Sequence, residues 1–145
     1  GVAVSHRNVI GLLGAAGDDL APVGVWSQWH SLAFDVSVWE IFGSLLRGGR
    51  LVVVPEWVAR SPEDLHALLA AERVTVVTQT PSAALMLSPD GLDVTTLVVA
   101  GEACPAELVD RPGAIAVELD LTDAFDVEDE GGIFSHCSLS KRGGG

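Results

Sequence analysis

The chain has 145 residues, 48% hydrophobic and 19% charged, with a formal net charge of −12. That length and apolar content suit one globular domain with a real core and exclude a disordered chain. Eight Lys and Arg against twenty Asp and Glu exclude the basic footprint of a nucleic-acid binder and disfavour an anionic membrane surface.

"VAVS" (2–5) is a short apolar run, and Ser5 can cap a helix through "HRNVIGLLGAAG". "DDLAPVG" (18–24) reads as a turn region, and "VWSQWHSLAF" (25–34) as strand-like at its start. The next helix begins near Ser37, where Ser37 and Glu40 fit a capping box. Val38, Ile41, Phe42, Leu45 and Leu46 then recur at helical spacing. Gly48 and Gly49 stop that helix, and "RLVVVP" reads as a buried strand. "SPEDLHALLAAE" (61–72) carries Ser61 as N-cap, Pro62 at the first helical position and an apolar face of Leu65, Leu68 and Leu69. "RVTVVT" (73–78) is a second strand, and Thr80 with Pro81 opens "TPSAALML". "TLVVAG" (96–101) is a third strand, "CPAELV" (104–109) another helix, and the alternation in "GAIAVELDL" (113–121) can supply a further strand.

Strands alternating with helices predict an α/β fold: a mainly parallel sheet flanked by helices, with right-handed crossovers. Ligands then sit outside the C-terminal strand ends, here near Thr78 and Ala100. No apolar run approaches the roughly 18–20 residues of a membrane span, and no signal-peptide layout opens the sequence. Cys104 and Cys137 show neither metal nor disulfide spacing and suit a reducing cytosol. His6, His30 and His66 have no Ser or Cys partner at a telling spacing, and His66 reads as lying on a solvated helix side. His136 beside Cys137 does not make a zinc site.

Asp35 invites two readings. A carboxylate at a helix start is favoured by the free N–H groups and the macrodipole. The same carboxylate at a cleft can receive an ammonium group. Spacing does not choose between them.

"FDVSVWE" (34–40) resembles the fourth core motif of the adenylation domains of nonribosomal peptide synthetases. "GVAVSHRNV", "GGRLVVVP", "SPEDLHALL", "VTVVTQTPSA" and "LVVAGEACPAELVDR" resemble further segments of that family, in its order and spacing, over residues 1–111. The resemblance implies one lobe of the larger adenylate-forming fold. It implies activation of an amino acid by ATP as an aminoacyl-adenylate, with release of pyrophosphate, then loading of a thiol on a phosphopantetheine-bearing carrier protein. By the same resemblance Asp35 pairs with the substrate α-ammonium. Val36, Trp39, Thr78, Val98 and Ala100 line the side-chain pocket, and Gly101, Glu102 and Ala103 lie against the adenine of ATP. Phe34 matches an aromatic residue near the substrate channel. Such a pocket suits an aromatic or mid-sized apolar amino acid and leaves a hydroxy amino acid open. Read without the resemblance, Val36, Trp39, Val98 and Ala100 are core residues, and "AGEA" is a turn after a strand.

Of the family's phosphate loop, ending in Pro-Lys-Gly, at most the last glycine is present, as Gly1, and its Tyr-Gly-Pro-Thr-Glu motif, whose Glu helps to hold magnesium, has no counterpart here. Outside the strand at 113–121, residues 112–145 read as a divergent, irregular tail, with seven acids in thirteen residues from Glu118 to Glu130 and an "RGGG" end expected to be flexible. The expectation is a cytoplasmic adenylation-domain fragment, truncated or recombined, that keeps part of its amino-acid pocket and no catalytic or metal residues of its own. Three rivals stand beside it: a related acyl-CoA or aryl-acid ligase fragment, a non-catalytic α/β interaction module, and an inert gene remnant. Asp35 argues against the first, because a substrate without an ammonium gains nothing from a carboxylate there.

Overall fold

The structure, a computed structural model, describes residues 4–109 and 115–119. Its elements in chain order are α1 (His6–Leu20), β1 (Val25–Gln28), α2 (Val36–Leu45), β2 (Arg50–Val53), α3 (Glu56–Ala59), α4 (Pro62–Ala71), β3 (Val76–Gln79), α5 (Pro81–Met86), β4 (Thr96–Ala100), α6 (Ala106–Val109) and β5 (Ile115–Leu119). The five strands pair in parallel, in the order β2-β1-β3-β4-β5. The α/β expectation holds, and the alternation around residue 115 does supply a strand, which pairs with β4. Cys137, His136 and the acidic run beyond residue 119 lie outside the described residues.

Two cores lie on opposite faces of the sheet. Val9, Leu12 and Leu13 of α1, Trp26 of β1, and Val36 and Trp39 of α2 pack with Val76, Val98 and Ala100. On the other face Val58, Leu65, Leu69, Ala84 and Leu108 of α3 to α6 pack on Val52, Val77, Leu97 and Val99. Alternate residues of β3 and β4 feed the two cores, as a strand covered on both sides requires. The crossover from β1 leads to β2 in one direction, and every later crossover leads the other way. With one hand of crossover, that reversal puts α2 on the face opposite α3 to α6. β1 and β3 are neighbours at the reversal, yet only the pair Trp26↔Val76 joins them in register. Their C-terminal halves part there.

Proline-led caps form as expected. Ser61 Oγ accepts the Asp64 N–H at 3.2 Å and Thr80 Oγ1 accepts that of Ala83 at 3.4 Å. Ser5 Oγ accepts the Asn8 N–H, and Asn8 Oδ1 reaches back to the Ser5 N–H. Other expectations need correction. α1 continues to Leu20, through part of the stretch read as a turn. α3 carries no periodicity that a four-residue helix would reveal in sequence. β2 is an edge strand with Val53 65% exposed, so its apolar composition does not mean burial.

The largest correction concerns α2. Its buried residues are Val36, Ser37, Trp39, Glu40, Gly43 and Ser44, whereas Leu45 and Leu46 are exposed. Val38 and Phe42 only flank the core. Gly43 faces the sheet because the helix, seated over Trp26 there, has no room for a side chain, while Trp39 stacks on the same indole. A Cβ on Gly43 would stand 2.7 Å from Trp26 Cζ3. Gly14, exposed on α1, has nothing within 4 Å of such a Cβ. Two glycine-to-alanine changes should therefore have opposite signs in urea unfolding. Gly43→Ala should cost about 1–3 kcal/mol through overpacking. Gly14→Ala should stabilise by about 0.5–1 kcal/mol. Equal effects would refute this account of the α2 face.

Candidate functional site

Because the strands are parallel, Gln28, Gln79 and Ala100 end on one edge of the sheet. α2 runs back from that edge toward the start of β2, so its first turn lies beside the strand ends. Asp35 is the N-cap of α2, and its Oδ1 accepts the Val36 N–H at 2.8 Å. It is exposed at the rim of the edge, with Leu32 and Phe34 also exposed in the loop before it. Ser37 is not the cap. Its hydroxyl donates to the Phe34 carbonyl at 2.7 Å, inside the first turn. The capping box fails because the helix starts at Val36, which makes Asp35 the cap and puts Ser37 inside the first turn.

Val36, Trp39, Val98 and Ala100 belong to one buried cluster beneath α2. Thr78, 1% exposed, pairs in register with Val98 and shares the strand face of Val76. The five pocket candidates thus meet between one sheet face, which carries Thr78, Val98 and Ala100, and the helix that Asp35 caps, which carries Val36 and Trp39. They are core residues here, and neither of two surface cavities, of about 370 and 530 Å³, is lined by any of them. Trp39 stacks at a tilt on Trp26, with ring centroids 5.4 Å apart, and its Nε1–H has no hydrogen-bond partner among the described residues.

Gly101, Glu102 and Ala103 follow β4 and are exposed. Gly101 has φ +83° and open space where a Cβ would stand, so the backbone there is accessible to a flat group such as a purine. Glu102 is already engaged: its carboxylate accepts the Ser82 N–H at 3.2 Å and the Ser82 hydroxyl at 2.9 Å, at the start of α5. Among the described residues no group of three or more His, Cys, Asp and Glu is placed to hold a metal ion. The described residues thus supply no such cluster for magnesium.

Sequence reasoning gave Glu40 only a capping role. It is 0% exposed and accepts three hydrogen bonds: Trp29 N–H at 3.2 Å, His30 N–H at 3.2 Å, and His30 Nδ1 at 2.9 Å. The spacing of Val36, Glu40, Gly43 and Ser44 was the available signal, since it puts Glu40 on the inward face. His30, passed over as unremarkable, is its partner. His66, read as solvated, is half-buried, with Nε2 2.8 Å from the Asp90 carbonyl.

A family model described as AMP-binding enzyme matches residues 1–118. The isonitrile lipopeptide synthase of Mycobacterium tuberculosis (strain ATCC 25618 / H37Rv) is 58% identical over 117 residues, which is 79% of this chain and 5% of that protein. Among solved structures, the nonribosomal peptide synthetase FmoA3 superposes with a TM-score of 0.73 at 30% identity, over 81% of this chain and 14% of that one. The adenylation domain AlmE of Vibrio cholerae, in complex with glycyl-adenosine-5'-phosphate, gives 0.70 at 26% identity, over 86% and 26%. The chain thus spans a small part of the length of each. Among the described residues no helix is long and apolar enough to cross a membrane.

Removing the Asp35 carboxylate tests its structural part alone. Asp35→Ala should lower stability by about 0.5–1 kcal/mol, the low end for an N-cap, and Asp35→Asn by a few tenths. Thermal unfolding measures both, and a large loss in Asp35→Asn would show that charge holds the helix start. Matched along 118 residues and folded as the solved synthetase domains are, the chain belongs to the AMP-binding enzyme family and corresponds to part of an adenylation domain of the nonribosomal peptide synthetase type.

Proposed function

We propose that this segment supplies the amino-acid-recognising wall of an adenylation site. One observation carries the reading: Asp35 caps α2 at the C-terminal edge of the sheet, at the start of the helix whose Val36 and Trp39 pack on the sheet face of Thr78, Val98 and Ala100. Asp35 receives the substrate α-ammonium, and the apolar residues with the Thr78 hydroxyl receive an aromatic or mid-sized apolar side chain. Gly101, Glu102 and Ala103 offer an exposed turn for the adenine. AlmE, solved with glycyl-adenosine-5'-phosphate, supports this as a relative that holds an aminoacyl-adenylate. ATP, an amino acid and a carrier protein are the proposed ligands and partner of the whole domain, in a cytoplasmic setting where ATP is supplied.

The described residues favour recognition over phosphate chemistry. Of the five arginines among the described residues, Arg47 donates to the Leu13 carbonyl, Arg50, Arg60 and Arg73 are paired with Glu72, Glu56 and Asp93, and Arg7 is exposed at the start of α1. Phosphoryl chemistry needs cations aimed at developing charge. A polypeptide of these 145 residues should therefore give ATP–pyrophosphate exchange at background with every amino acid tried. Clear exchange above background would overturn that.

Binding tests the amine directly. An exposed ion pair is worth only about 0.2–1 kcal/mol, so affinity for the chain alone is weak and best followed by amide chemical shifts. Free apolar amino acids should shift the Val36 amide more than their N-acetyl counterparts do. Asp35→Asn should weaken the free amino acids by about 1.5- to 5-fold and leave the N-acetyl forms unchanged. Equal response to both forms would instead favour an acid ligase with no use for an ammonium.

A further inference from the structure

We infer that Glu40 is a positioning residue: its buried carboxylate clamps the start of the 29–35 loop to the body of α2 and so fixes where the loop delivers Asp35. The functional meaning rests on the amine reading above. The clamp itself rests on geometry.

β1 ends at Gln28, and the next two backbone N–H groups have left the strand. Both point at one carboxylate, Trp29 to Oε1 and His30 to Oε2, while the His30 ring reaches Oε1 as well. A carboxylate facing these donors accepts from all three, so the His30 proton sits on Nδ1. The His30 side chain is 12% exposed and that of Glu40 is 0% exposed, so water competes little for these bonds. Trp29 meets the His30 ring edge-on, with centroids 4.8 Å apart. Gln28 Nε2 also donates to the His30 carbonyl.

The other end of the loop is held by the same helix. Phe34 N–H donates to the Ser31 carbonyl at 3.0 Å, and Ser37 returns its N–H and hydroxyl to the Phe34 carbonyl. α2 therefore grips the loop twice, at residues 29–30 through Glu40 and at residues 34–35 through its first turn. Only residues 31–33 lie between. A side chain chosen for packing alone at an inward helical position would be apolar. It would leave the N–H groups of Trp29 and His30 buried without partners. A glutamine cannot replace the carboxylate either. It has one accepting oxygen, so its amide N–H₂ would face at least one backbone N–H.

Amide hydrogen exchange on the full chain tests the clamp. In Glu40→Gln the amides of Trp29 and His30 should exchange at least tenfold faster, and the loop through Asp35 should follow. Val77 and Val99, in the neighbouring strands, should keep their rates. The preference for a free over an N-acetylated amino acid should fall toward one, as in Asp35→Asn. Unchanged rates over residues 29–35 would overturn the inference, and so would equal acceleration in β3 and β4. Should Glu40→Gln fail to fold, His30→Ala removes one of the three donors. It must then show a smaller acceleration confined to the same loop, and none there would also overturn it. If the unaltered chain shows no preference for the free amine, the amine reading fails, and the exchange rates alone decide the clamp.

Discussion

A parallel sheet whose crossovers share one hand cannot reverse its direction of growth without sending a helix to the opposite face. Here the reversal comes between β1 and β3, and most of the site's geometry descends from it. α2 is left with α1 on a face of its own. β1 and β3 share one register pair, so their C-terminal halves separate. An open α/β sheet offers a ligand its crevice at such a switch point. The residues gathered there come from three separate stretches: the loop and helix after β1, the end of β3, and β4 with its following turn. No one of those stretches forms the site alone.

The close seat of α2 over Trp26 has a chemical side. Beside the apolar Val36 and Trp39, α2 presents four small or polar residues inward: Ser37, Gly43, Ser44 and Glu40. Three of these four can take part in hydrogen bonding. The inward face therefore does two tasks at once: Gly43 admits the indole of Trp26, and Glu40 collects the amides that β1 leaves behind. Apolar bulk is displaced to the outer side of the helix, where Leu45 and Leu46 are exposed.

That displacement explains why the fold was easier to read than the site. β-branched runs between proline-led caps announced β3, β4, α4 and α5, because caps and strand composition are local properties. The orientation of α2 is not local. Its apolar periodicity pointed to Val38, Ile41, Phe42, Leu45 and Leu46, but the neighbour it meets, Trp26, takes Trp39 and leaves no side-chain room at Gly43. Glu40 was taken for a capping partner because the S-x-x-E spacing matched. Its true role depends on where the chain goes ten and eleven residues earlier. β2 was taken as buried because parallel strands usually are, and strand order is not written in a strand's own residues. The six family-like segments identified the family and the order of its motifs. Which side chains would be rim and which floor had to come from the coordinates.

β2 itself carries one more consequence. On its outer side it has no neighbour among the described residues, and an open row of N–H and C=O groups invites foreign strands. The invitation is brief. The strand is four residues long, starts on a charged Arg50 whose guanidinium is tied to Glu72, and runs within two residues of Pro55, which cannot donate to a ladder. With Val53 and Trp57 uncovered nearby, that brevity leaves only a short row of backbone groups on which a second molecule could zip.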